Sequence, residues 1–390
     1  MINFDNAATT YPKPKYVRDA VSEAMVLYGG NAGRGGHILA ERTSEMVYSV
    51  REAAAEFFDA KPENTILCLN CTHALNTAIQ GILEKGDHVI ISSLEHNSVY
   101  RPVAALVKKG TVSCTIAEVS DDDAVTLENV RRSIRPETKA VIFTMASNVT
   151  GQITPIREIG RLCKEKGICL IADGAQLCGV MPVSLEKDNI SILCTSGHKG
   201  LYGITGTGLL MTDCKFPIKP LMYGGTGSAS ASPKQPDFLP DRLESGTQNI
   251  IGAASVKAGL AFLRKYGLSM IYEHEQHLCR LFLKGISDIP EITVYRREKP
   301  SYVPIVSFNI KGSAPEETAE FLSREGFCLR AGLHCAPLAH NSNGTPEGTV
   351  RFAPSVMNSE REVMLLVQTV KKCVRNIKSS KKVLKSSTEI

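Results

Sequence analysis

One lysine, Lys199, lies among small and aromatic residues in the segment TSGHKGLYG, residues 195–203. Lysine side chains are usually exposed, so a solvated loop charge is one interpretation. A pocket in which the amine nitrogen acts as a nucleophile is the other. Asp173 ends the apolar run ICLIAD, and Lys199 follows the apolar run ISILC. If the two apolar runs form neighbouring strands of one sheet, the carboxylate of Asp173 and the amine of Lys199 can act on the same ligand.

The elements around these two residues predict that arrangement. From about residue 37 to 215, short β-branched runs alternate with amphipathic stretches. The strand-like runs are NTILCLN, HVIISS, TVSCTIAEV, KAVIFTMAS, ICLIADGA, NISILCTS and GTGLLM. This alternation predicts an α/β fold with a mainly parallel, seven-stranded sheet and helices on both faces. Such sheets bind ligands at the carboxyl ends of their strands, where Asp173 and Lys199 are expected.

The pattern changes near residue 250 and predicts a smaller α+β domain. Long helical stretches, IGAASVKAGLAFLRKYG and SMIYEHEQHLCRLFLKGI, precede strand-like YVPIVSFNIKG and a last helix, SEREVMLLVQTVKKCVRNI. The predicted division is a large domain over 15–260, a small domain over 1–14 and 261–376, and a flexible basic tail over 377–390. The Gly/Ser/Pro-rich stretch at 224–240 predicts a long mobile loop.

Composition narrows the class of protein. The chain has 390 residues, 43% of them hydrophobic, with no basic leader and no uninterrupted apolar run of membrane length, which predicts a cytoplasmic protein without a membrane partner. The net charge is +5, but KKCVRNIKSSKKVLK near the C-terminus carries seven basic residues and no acidic one. The rest of the chain is therefore close to neutral, so the basic pI does not predict nucleic-acid binding.

Twelve cysteines without a leader sequence predict reduced, mostly buried thiols rather than disulfides. Cys68 and Cys71 form one C-x-x-C pair, CLNC, at a predicted strand-to-helix junction, which resembles a redox motif. A four-cysteine zinc site would need a second such pair, and no metal is predicted. Buried structural thiols are the favoured interpretation.

A phosphate site is predicted beside the lysine and the aspartate. CTHALN begins a helix directly after NTILCLN, so Thr72 and the neighbouring amides can bind phosphate at the positive end of that helix. A reactive lysine, an acid for a pyridine nitrogen and a phosphate cup are what pyridoxal 5'-phosphate requires of a protein. We therefore expect Lys199 to bond covalently to this cofactor, aided by burial and nearby positive charge that lower its pKa.

The chain resembles the fold-type I pyridoxal phosphate enzymes, within them the class V aminotransferase family, and in that family the cysteine desulfurases of the SufS and selenocysteine lyase group. The resemblance runs from FDNAATTYPKP to the helix after 358 and includes SGHK at 196–199 and DGAQ at 173–176. It implies that Asp173 pairs with the pyridine nitrogen and that Gln176 binds the ring oxygen. It also implies a set of phosphate and cofactor contacts from Cys71, Thr72, Ser196 and His198.

Other motifs of the resemblance imply further roles. His96, in LEHNS, matches a catalytic histidine that stacks on the ring, and Asn148, in ASNVTG, matches an asparagine that contacts cofactor and substrate. Thr247, in RLESGTQN, matches a threonine that completes the phosphate site of a second subunit, so a homodimer is expected. His37, in a glycine-rich stretch, is a substrate-binding candidate.

RAGLHCAP, at 330–337, supplies the residues that separate a desulfurase from a transaminase. Cys335 lies near Arg330 and His334, and positive neighbours favour the attacking thiolate; the alternative is one more buried thiol. Arg330 is also assigned to substrate binding. Arg351, in TVRFAPS, is expected to bind the substrate carboxylate, with a structural salt bridge as its alternative.

The predicted activity is the conversion of L-cysteine to L-alanine with a persulfide on Cys335, which a sulfur-acceptor protein or a reductant then removes, as in iron–sulfur cluster assembly. SufS-like proteins often have a histidine at the position of Leu333. The preference between L-cysteine and L-selenocysteine as the substrate is therefore left open. A selenocysteine lyase, another class V aminotransferase or lyase, and a partner-binding sulfur-relay protein are the alternatives.

Overall fold

The computed structural model describes residues 1–33, 35–299 and 301–388. Its helices are α1 Lys15–Leu27, α2 Ile38–Phe58, α3 Cys71–Ile82, α4 Asn97–Lys108, α5 Asp123–Ser133, α6 Ile156–Lys166, α7 Ile250–Tyr266, α8 Leu268–Ile286, α9 Pro315–Arg324, α10 Pro337–Ser342 and α11 Glu360–Thr388. Its strands are β1 Ile2–Asn3, β2 Thr65–Cys68, β3 His88–Ser92, β4 Ser113–Ala117, β5 Thr138–Thr144, β6 Cys169–Asp173, β7 Ile192–Ser196, β8 Gly208–Thr212, β9 Ile292–Val294, β10 Val306–Ile310, β11 Phe327–Cys328, β12 Arg330–Gly332 and β13 Thr349–Phe352.

Seven strands form one sheet in the order β2-β8-β7-β6-β5-β3-β4. The four pairings that join β7, β6, β5, β3 and β4 are parallel, and β8 runs antiparallel to both of its neighbours. Each of the seven strand-like runs of the sequence forms one of these strands. The predicted α/β class and its mainly parallel, seven-stranded sheet are therefore confirmed.

Helices cover both faces of this sheet, which explains why its central strands are apolar along their whole length. On one face, Leu75 and Ile79 of α3 lie in the same buried cluster as Ile142 and Ile171 of the sheet. On the other face, a second cluster joins α2, α6 and α7 to β6 and β7. Complete burial of each such leucine or isoleucine stabilises the fold by roughly 1.5–3 kcal/mol, so the two clusters fix the positions of the strand ends.

The C-terminal part contains a four-stranded antiparallel sheet in the order β12-β13-β10-β9, as expected for an α+β unit. Phe282 of α8, Phe308 of β10 and Leu366 of α11 belong to its core. The N-terminal arm joins this part because β1 pairs in parallel with β11. The arm thereby places residues 4–10 between the two sheets.

The predicted domain limits and the flexibility of the tail stay predictions. Helix α11 continues to Thr388 and so covers most of the predicted tail, while residues 389 and 390 of that tail lie outside the described residues. Between β8 and α7 the chain forms neither helix nor strand, which agrees with a long loop around 224–240. Within the described ranges, every helix is too short or too polar to cross a membrane.

Candidate functional site

The carboxyl ends of three neighbouring parallel strands form the floor of a cavity of about 210 Å³. Strands β5, β6 and β7 end at Thr144, Asp173 and Ser196, which all line it. Eleven predicted site residues line this cavity: Cys71, Thr72, His96, Asn148, Asp173, Gln176, Ser196, His198, Lys199, Arg330 and Arg351. The sheet edge thus brings together side chains that are far apart in the sequence.

Lys199, which is half-buried, and Asp173, which is buried, are an amine and a carboxyl group of the cavity that interact electrostatically. Burial lowers the pKa of Lys199, and Arg351 and Arg330 lower it further, while Asp173 and Cys71 oppose the shift. Burial raises the pKa of Asp173, against hydrogen bonding and the nearby Lys199 charge. A lysine with a lowered pKa has more of its neutral, nucleophilic amine. Its half-buried position in the lining of the cavity favours this interpretation over a solvated loop charge.

Asp173 accepts hydrogen bonds on the oxygen that faces the start of α3. Its Oδ1 accepts from Ala175 N at 2.9 Å and from Cys71 Sγ at 3.5 Å. The thiol of Cys71 is therefore a neutral donor to this carboxylate. Cys68, the other member of the C-x-x-C pair, is also buried, and burial raises the pKa of both thiols. Groups of three or more metal-ligating side chains are not found among the described residues.

The N-terminus of α3 provides the predicted phosphate site. Asn70 caps the helix by accepting from His73 N at 2.8 Å, and Thr72 faces the cavity. Gly208 of β8 packs against this cap, and a Cβ at that position would lie 2.5 Å from the Asn70 carbonyl carbon. Only a glycine lets the strand approach the cap so closely. Sequence analysis gave GTGLL no role beyond a strand.

Four residues that line the cavity carry a buried polar atom without a hydrogen-bond partner among the described residues: Ser196 Oγ, His198 Nδ1, His334 Nδ1 and Arg351 Nε. Ser196 and His198 lie just before Lys199 in the sequence. Leaving buried polar groups unpaired costs about 1–3 kcal/mol each. Phosphate oxygens accept from hydroxyl and imidazole N–H groups, and the helix N-terminus of Thr72 favours an anion at the same place. These residues therefore fit the phosphate of pyridoxal 5'-phosphate.

His96 is a neutral imidazole at the wall of the cavity. Burial and, to a smaller extent, the positive charges of Lys199, Arg330 and Arg351 lower its pKa to about 4. Its Nδ1 accepts from Ser98 N at 3.0 Å as the cap of α4, so the ring proton is assigned to Nε2. A fixed, neutral, planar ring suits the stacking role expected of His96.

The loop of Cys335 is attached to the large domain at two consecutive residues. Asn148 Nδ2 donates to His334 O at 2.7 Å, and Asn97 N donates to Cys335 O at 2.7 Å. Both His334 and Cys335 have positive φ angles, 46° and 57°, a backbone conformation that L-residues rarely adopt. The Cys335 side chain is exposed, and Arg330 Nη2 lies 3.4 Å from its sulfur.

Exposure and position separate Cys335 from the other eleven cysteines. Only Cys214 and Cys335 are exposed, and all twelve cysteines fall within the described residues. Cys214 follows the antiparallel strand β8 and therefore lies at the opposite edge of the sheet, beside a different cavity. Cys335 is thus the one exposed thiol beside the cavity of Lys199 and Asp173, because its neighbours Arg330 and His334 both line that cavity. Its alternative interpretation as a buried thiol is wrong.

Arg351 is almost completely buried, with 1% of its surface exposed. Its Nη2 donates to Asp5 Oδ1 at 2.8 Å and its Nη1 donates to Asn148 O at 2.8 Å. The structural salt bridge considered for Arg351 therefore exists. The buried Nε has no hydrogen-bond partner among the described residues, so its N–H is available for a substrate carboxylate.

Three predicted site residues are not among those that line the cavity: Cys335, which lies beside it next to Arg330, and Thr247 and His37, which lie elsewhere. Thr247 lines a separate cavity with Leu69 and His73, and its hydroxyl accepts from Asn31 Nδ2 at 3.5 Å. His37 is exposed and caps α2, accepting from Ala40 N at 3.3 Å. A single chain therefore assigns neither residue to the cofactor or the substrate.

The structure adds three residues that sequence analysis did not assign. Asp5 binds Arg351, and Lys13 Nζ donates to His198 O at 2.9 Å, which fixes the turn before Lys199. Glu95 is buried directly behind the cavity. Asp5 and Lys13 lie inside the motif FDNAATTYPKP, and Glu95 precedes His96, so their proximity to recognised motifs was the available signal.

Comparisons with known proteins agree with this geometry. The sequence model of the family "Aminotransferase class-V" matches residues 2–366. A protein of Pyrococcus abyssi named "Probable cysteine desulfurase" is 31% identical, with 97% of this chain and 96% of that protein covered. The apo structure of a cysteine desulfurase from Thermococcus onnurineus NA1 is 30% identical, covers 96% of this chain and 95% of its own, and superposes with a TM-score of 0.89.

A more distant structure extends the likeness of the fold. The cysteine desulfurase CsdA of Escherichia coli is 23% identical, covers 96% of this chain and 94% of its own, and has a TM-score of 0.85. These superpositions confirm the predicted fold-type I architecture. Because the family match covers residues 2–366 and includes every residue that lines the cavity, the chain belongs to the class-V aminotransferase family.

Proposed function

We propose that this protein is a cysteine desulfurase that uses pyridoxal 5'-phosphate, converts L-cysteine to L-alanine and retains the sulfur as a persulfide on Cys335. One observation carries the proposal: the exposed Cys335 thiol lies 3.4 Å from Arg330, beside the cavity that holds Lys199 and Asp173. A transaminase has no need of a nucleophile at that position. The names of the relatives support the same reaction.

The residues of the cavity would hold the cofactor from three sides. Lys199 would form the covalent bond, Asp173 would pair with the pyridine nitrogen, and Thr72, Ser196 and His198 would bind the phosphate. Gln176, whose Nε2 donates to Ala7 O at 3.1 Å, lines the cavity where the ring oxygen is expected. When bound, pyridoxal 5'-phosphate supplies an electron-withdrawing ring that accepts the electrons of a bond broken at the substrate Cα.

The protein's own groups then perform defined tasks. Arg351, held by Asp5, orients the substrate carboxylate through its Nε–H, which has no partner among the described residues. The neutral amine of Lys199 removes and later returns the proton at Cα. The Cys335 thiolate attacks the substrate sulfur, so that an S–S bond forms, the substrate C–S bond breaks, and its electron pair stays with the three-carbon fragment. That fragment takes up a proton and leaves as alanine.

We also propose a homodimer, in which Thr247 contributes to the second subunit's phosphate site. Thr247 lines a cavity together with the exposed apolar side chains of Leu69 and Met222. Exposed apolar groups clustered at one place favour a protein interface. Light scattering of the purified protein measures this directly, with a mass of two chains expected. A single-chain mass would contradict the dimer without affecting the assignment of Cys335.

Two finer assignments accompany the proposal. A cytoplasmic location is supported by twelve free thiols, which persist in a reducing compartment. A sulfur-acceptor protein is supported by the exposed position of Cys335, since an acceptor thiol can reach it. A selenocysteine lyase is the second candidate activity, because Leu333, 44% exposed beside the nucleophile, takes the place of a histidine common in related proteins.

The testing experiment measures alanine formed from L-cysteine by the purified holoenzyme with a thiol reductant. The variants are Cys335→Ala and Cys214→Ala, which remove the two exposed thiols one at a time. Wild type and Cys214→Ala are expected to form alanine, and Cys335→Ala to bind the cofactor but fail. Equal alanine production by Cys335→Ala would overturn the assigned nucleophile. Activity with L-selenocysteine alone, retained in Cys335→Ala, would instead favour the lyase.

A further inference from the structure

A second buried carboxyl group lies behind the cavity, and the reaction described above does not use it. Glu95 follows β3, has no exposed surface, and is the residue before His96. Its Oε1 accepts from Thr144 N at 2.7 Å and from Ser92 Oγ at 2.5 Å. Its Oε2 is buried without a hydrogen-bond partner. A buried acid at this place needs a physical explanation.

The hydrogen bonds to the carboxyl group of Glu95 indicate which of its two oxygens carries a proton. Both donors bind Oε1, as expected if Oε1 is the carbonyl oxygen of a neutral carboxylic acid. A carboxylate would place about half of a negative charge on Oε2, where no donor reaches it, and burying a charge in that way is far more costly than burying a neutral hydroxyl. The geometry therefore assigns the proton to Oε2.

Asp173 is close to Glu95 but is surrounded differently. Thr144, whose amide binds Glu95, is paired with Asp173 in the register of β5 and β6. Asp173 faces the amine of Lys199 and accepts from Ala175 N and Cys71 Sγ, all of which stabilise its anion. The described hydrogen-bond partners of Glu95, Ser92 and Thr144, are neutral. When two nearby carboxyl groups share a site, the proton settles on the one without a cation.

We propose that Glu95 is a neutral carboxylic acid whose proton keeps Asp173 as the ionised member of a buried carboxyl pair. Glu95 is then a positioning residue, because it acts on the cofactor only through Asp173. An ionised Glu95 would repel the Asp173 anion and favour its protonation, and a protonated Asp173 binds a pyridinium nitrogen weakly. In agreement, burial and, to a smaller extent, the Asp173 charge raise the pKa of Glu95 to about 8.

Infrared difference spectroscopy tests the protonation state directly. The spectrum of wild-type holoenzyme minus that of Glu95→Gln is expected to contain the C=O stretch of a protonated carboxyl group below neutral pH. Raising the pH should replace this band with carboxylate bands. Glu275→Gln is the matched control. Glu275 is also buried, with 5% of its surface exposed, and burial raises its pKa to about 8. It accepts from Tyr202 and Val356, and Asp173 makes no contribution to its shift.

The cofactor absorbance, titrated with pH, tests the effect on Asp173. Wild type and Glu275→Gln should show an alkaline transition as Glu95 ionises, and Glu95→Gln, which cannot ionise, should lack it while matching wild type near neutrality. Absence of a protonated C=O band from the difference spectrum of wild type minus Glu95→Gln near neutral pH would overturn the proposal. An altered cofactor absorbance of Glu95→Gln at neutral pH would also overturn it.

The inference rests on the proposed function only through its cofactor. Neither readout requires turnover, so a failure to form alanine from L-cysteine would leave both results interpretable. Conversely, finding that Glu95 is ionised would contradict this inference and would leave the proposed role of Cys335 unchanged.

Discussion

Arg351 Nη2 donates to Asp5 Oδ1 over 2.8 Å and so connects residues 346 positions apart. The guanidinium has 1% of its surface exposed, and an unpaired buried cation would be strongly destabilising. Because Asp5 pairs with this charge, Arg351 can stay at the cavity when no substrate carboxylate is bound. The pair is at once a structural salt bridge and a means of orienting a substrate-binding group.

Asp5→Asn should weaken substrate binding more than it slows the chemical step. The amide keeps the shape of the side chain but removes the charge that orients Arg351, and we expect KM for L-cysteine to rise about tenfold, equivalent to about 1.4 kcal/mol. Steady-state alanine production gives KM and kcat separately. Asp19→Asn, which breaks the exposed ion pair with Lys15, is the control. A lowered kcat with unchanged KM would contradict this role.

Lys199→Ala should abolish covalent attachment of the cofactor as well as turnover. Borohydride reduction fixes the cofactor to the amine that holds it, and mass spectrometry of the digested protein then identifies the peptide. We expect the added mass on the wild-type peptide that contains Lys199 and none anywhere in Lys199→Ala. Lys187→Ala removes an exposed lysine and should behave as wild type. Added mass at another lysine in the wild type would reassign the site.

Acid should destabilise the protein through the histidines of the cavity. Burial lowers the pKa of His96 and of His198 to about 4, from an ordinary value of 6.5. The unfolded chain binds these protons more tightly than the folded one, so the free energy of unfolding falls as pH decreases from about 6.5 towards 4. Each histidine contributes on the order of 2 kcal/mol to this loss.

Denaturant unfolding at several pH values measures the effect. His96→Gln and His198→Gln should each flatten the decline over that range. His277→Gln, which changes an exposed imidazole on α8, should leave the decline as it is in the wild type. A decline of the same steepness in all three variants would show that other groups carry the acid sensitivity.

Gly208→Ala should impair the phosphate site without touching any cavity side chain. The added Cβ would lie 2.5 Å from the Asn70 carbonyl carbon, so the cap of α3 must move. We expect the dissociation constant of pyridoxal 5'-phosphate, measured by absorbance titration of stripped protein, to rise at least about tenfold. Gly29→Ala, where a Cβ meets nothing within 4 Å, should keep the wild-type value. Equal affinities of Gly208→Ala and Gly29→Ala for pyridoxal 5'-phosphate would contradict this prediction.

Local sequence pattern predicted the large sheet well, because each buried strand is apolar along its whole length and needs no knowledge of its neighbours. It also placed Asp173 and Lys199 correctly, since the end of a parallel strand determines the edge of the sheet on which its last residue lies. The end of β9 at Val294 shows the limit of local pattern. The run TVYRR, residues 293–297, has strand-forming residues throughout, but the strand stops after Val294, with one further hydrogen bond from Tyr295 N to Ser307 O of β10.

The partners that complete the site could not be predicted from spacing. Asp5 meets Arg351, and Glu95 meets Thr144, through the tertiary fold, and no local periodicity records such pairs. Thr247 and His37 were assigned by motif, yet a single chain leaves both away from the cavity. Motif matching identifies which residue types are present. The site to which a residue contributes depends on the tertiary and quaternary structure.

The pairing of Asp5 with Arg351 also sets an order for the assembly of the protein during synthesis. The strands that carry Asp173 and Lys199 form from residues 65–212, whereas the arm that holds Asp5 finds its partner strands at 327–328 and 349–352. A nascent chain can therefore complete the cofactor half of the site while the substrate half still lacks its arginine. In the proposed function, synthesis of the segment that contains Arg351, rather than acquisition of the cofactor, is the step after which the chain can first bind the carboxylate of an amino acid.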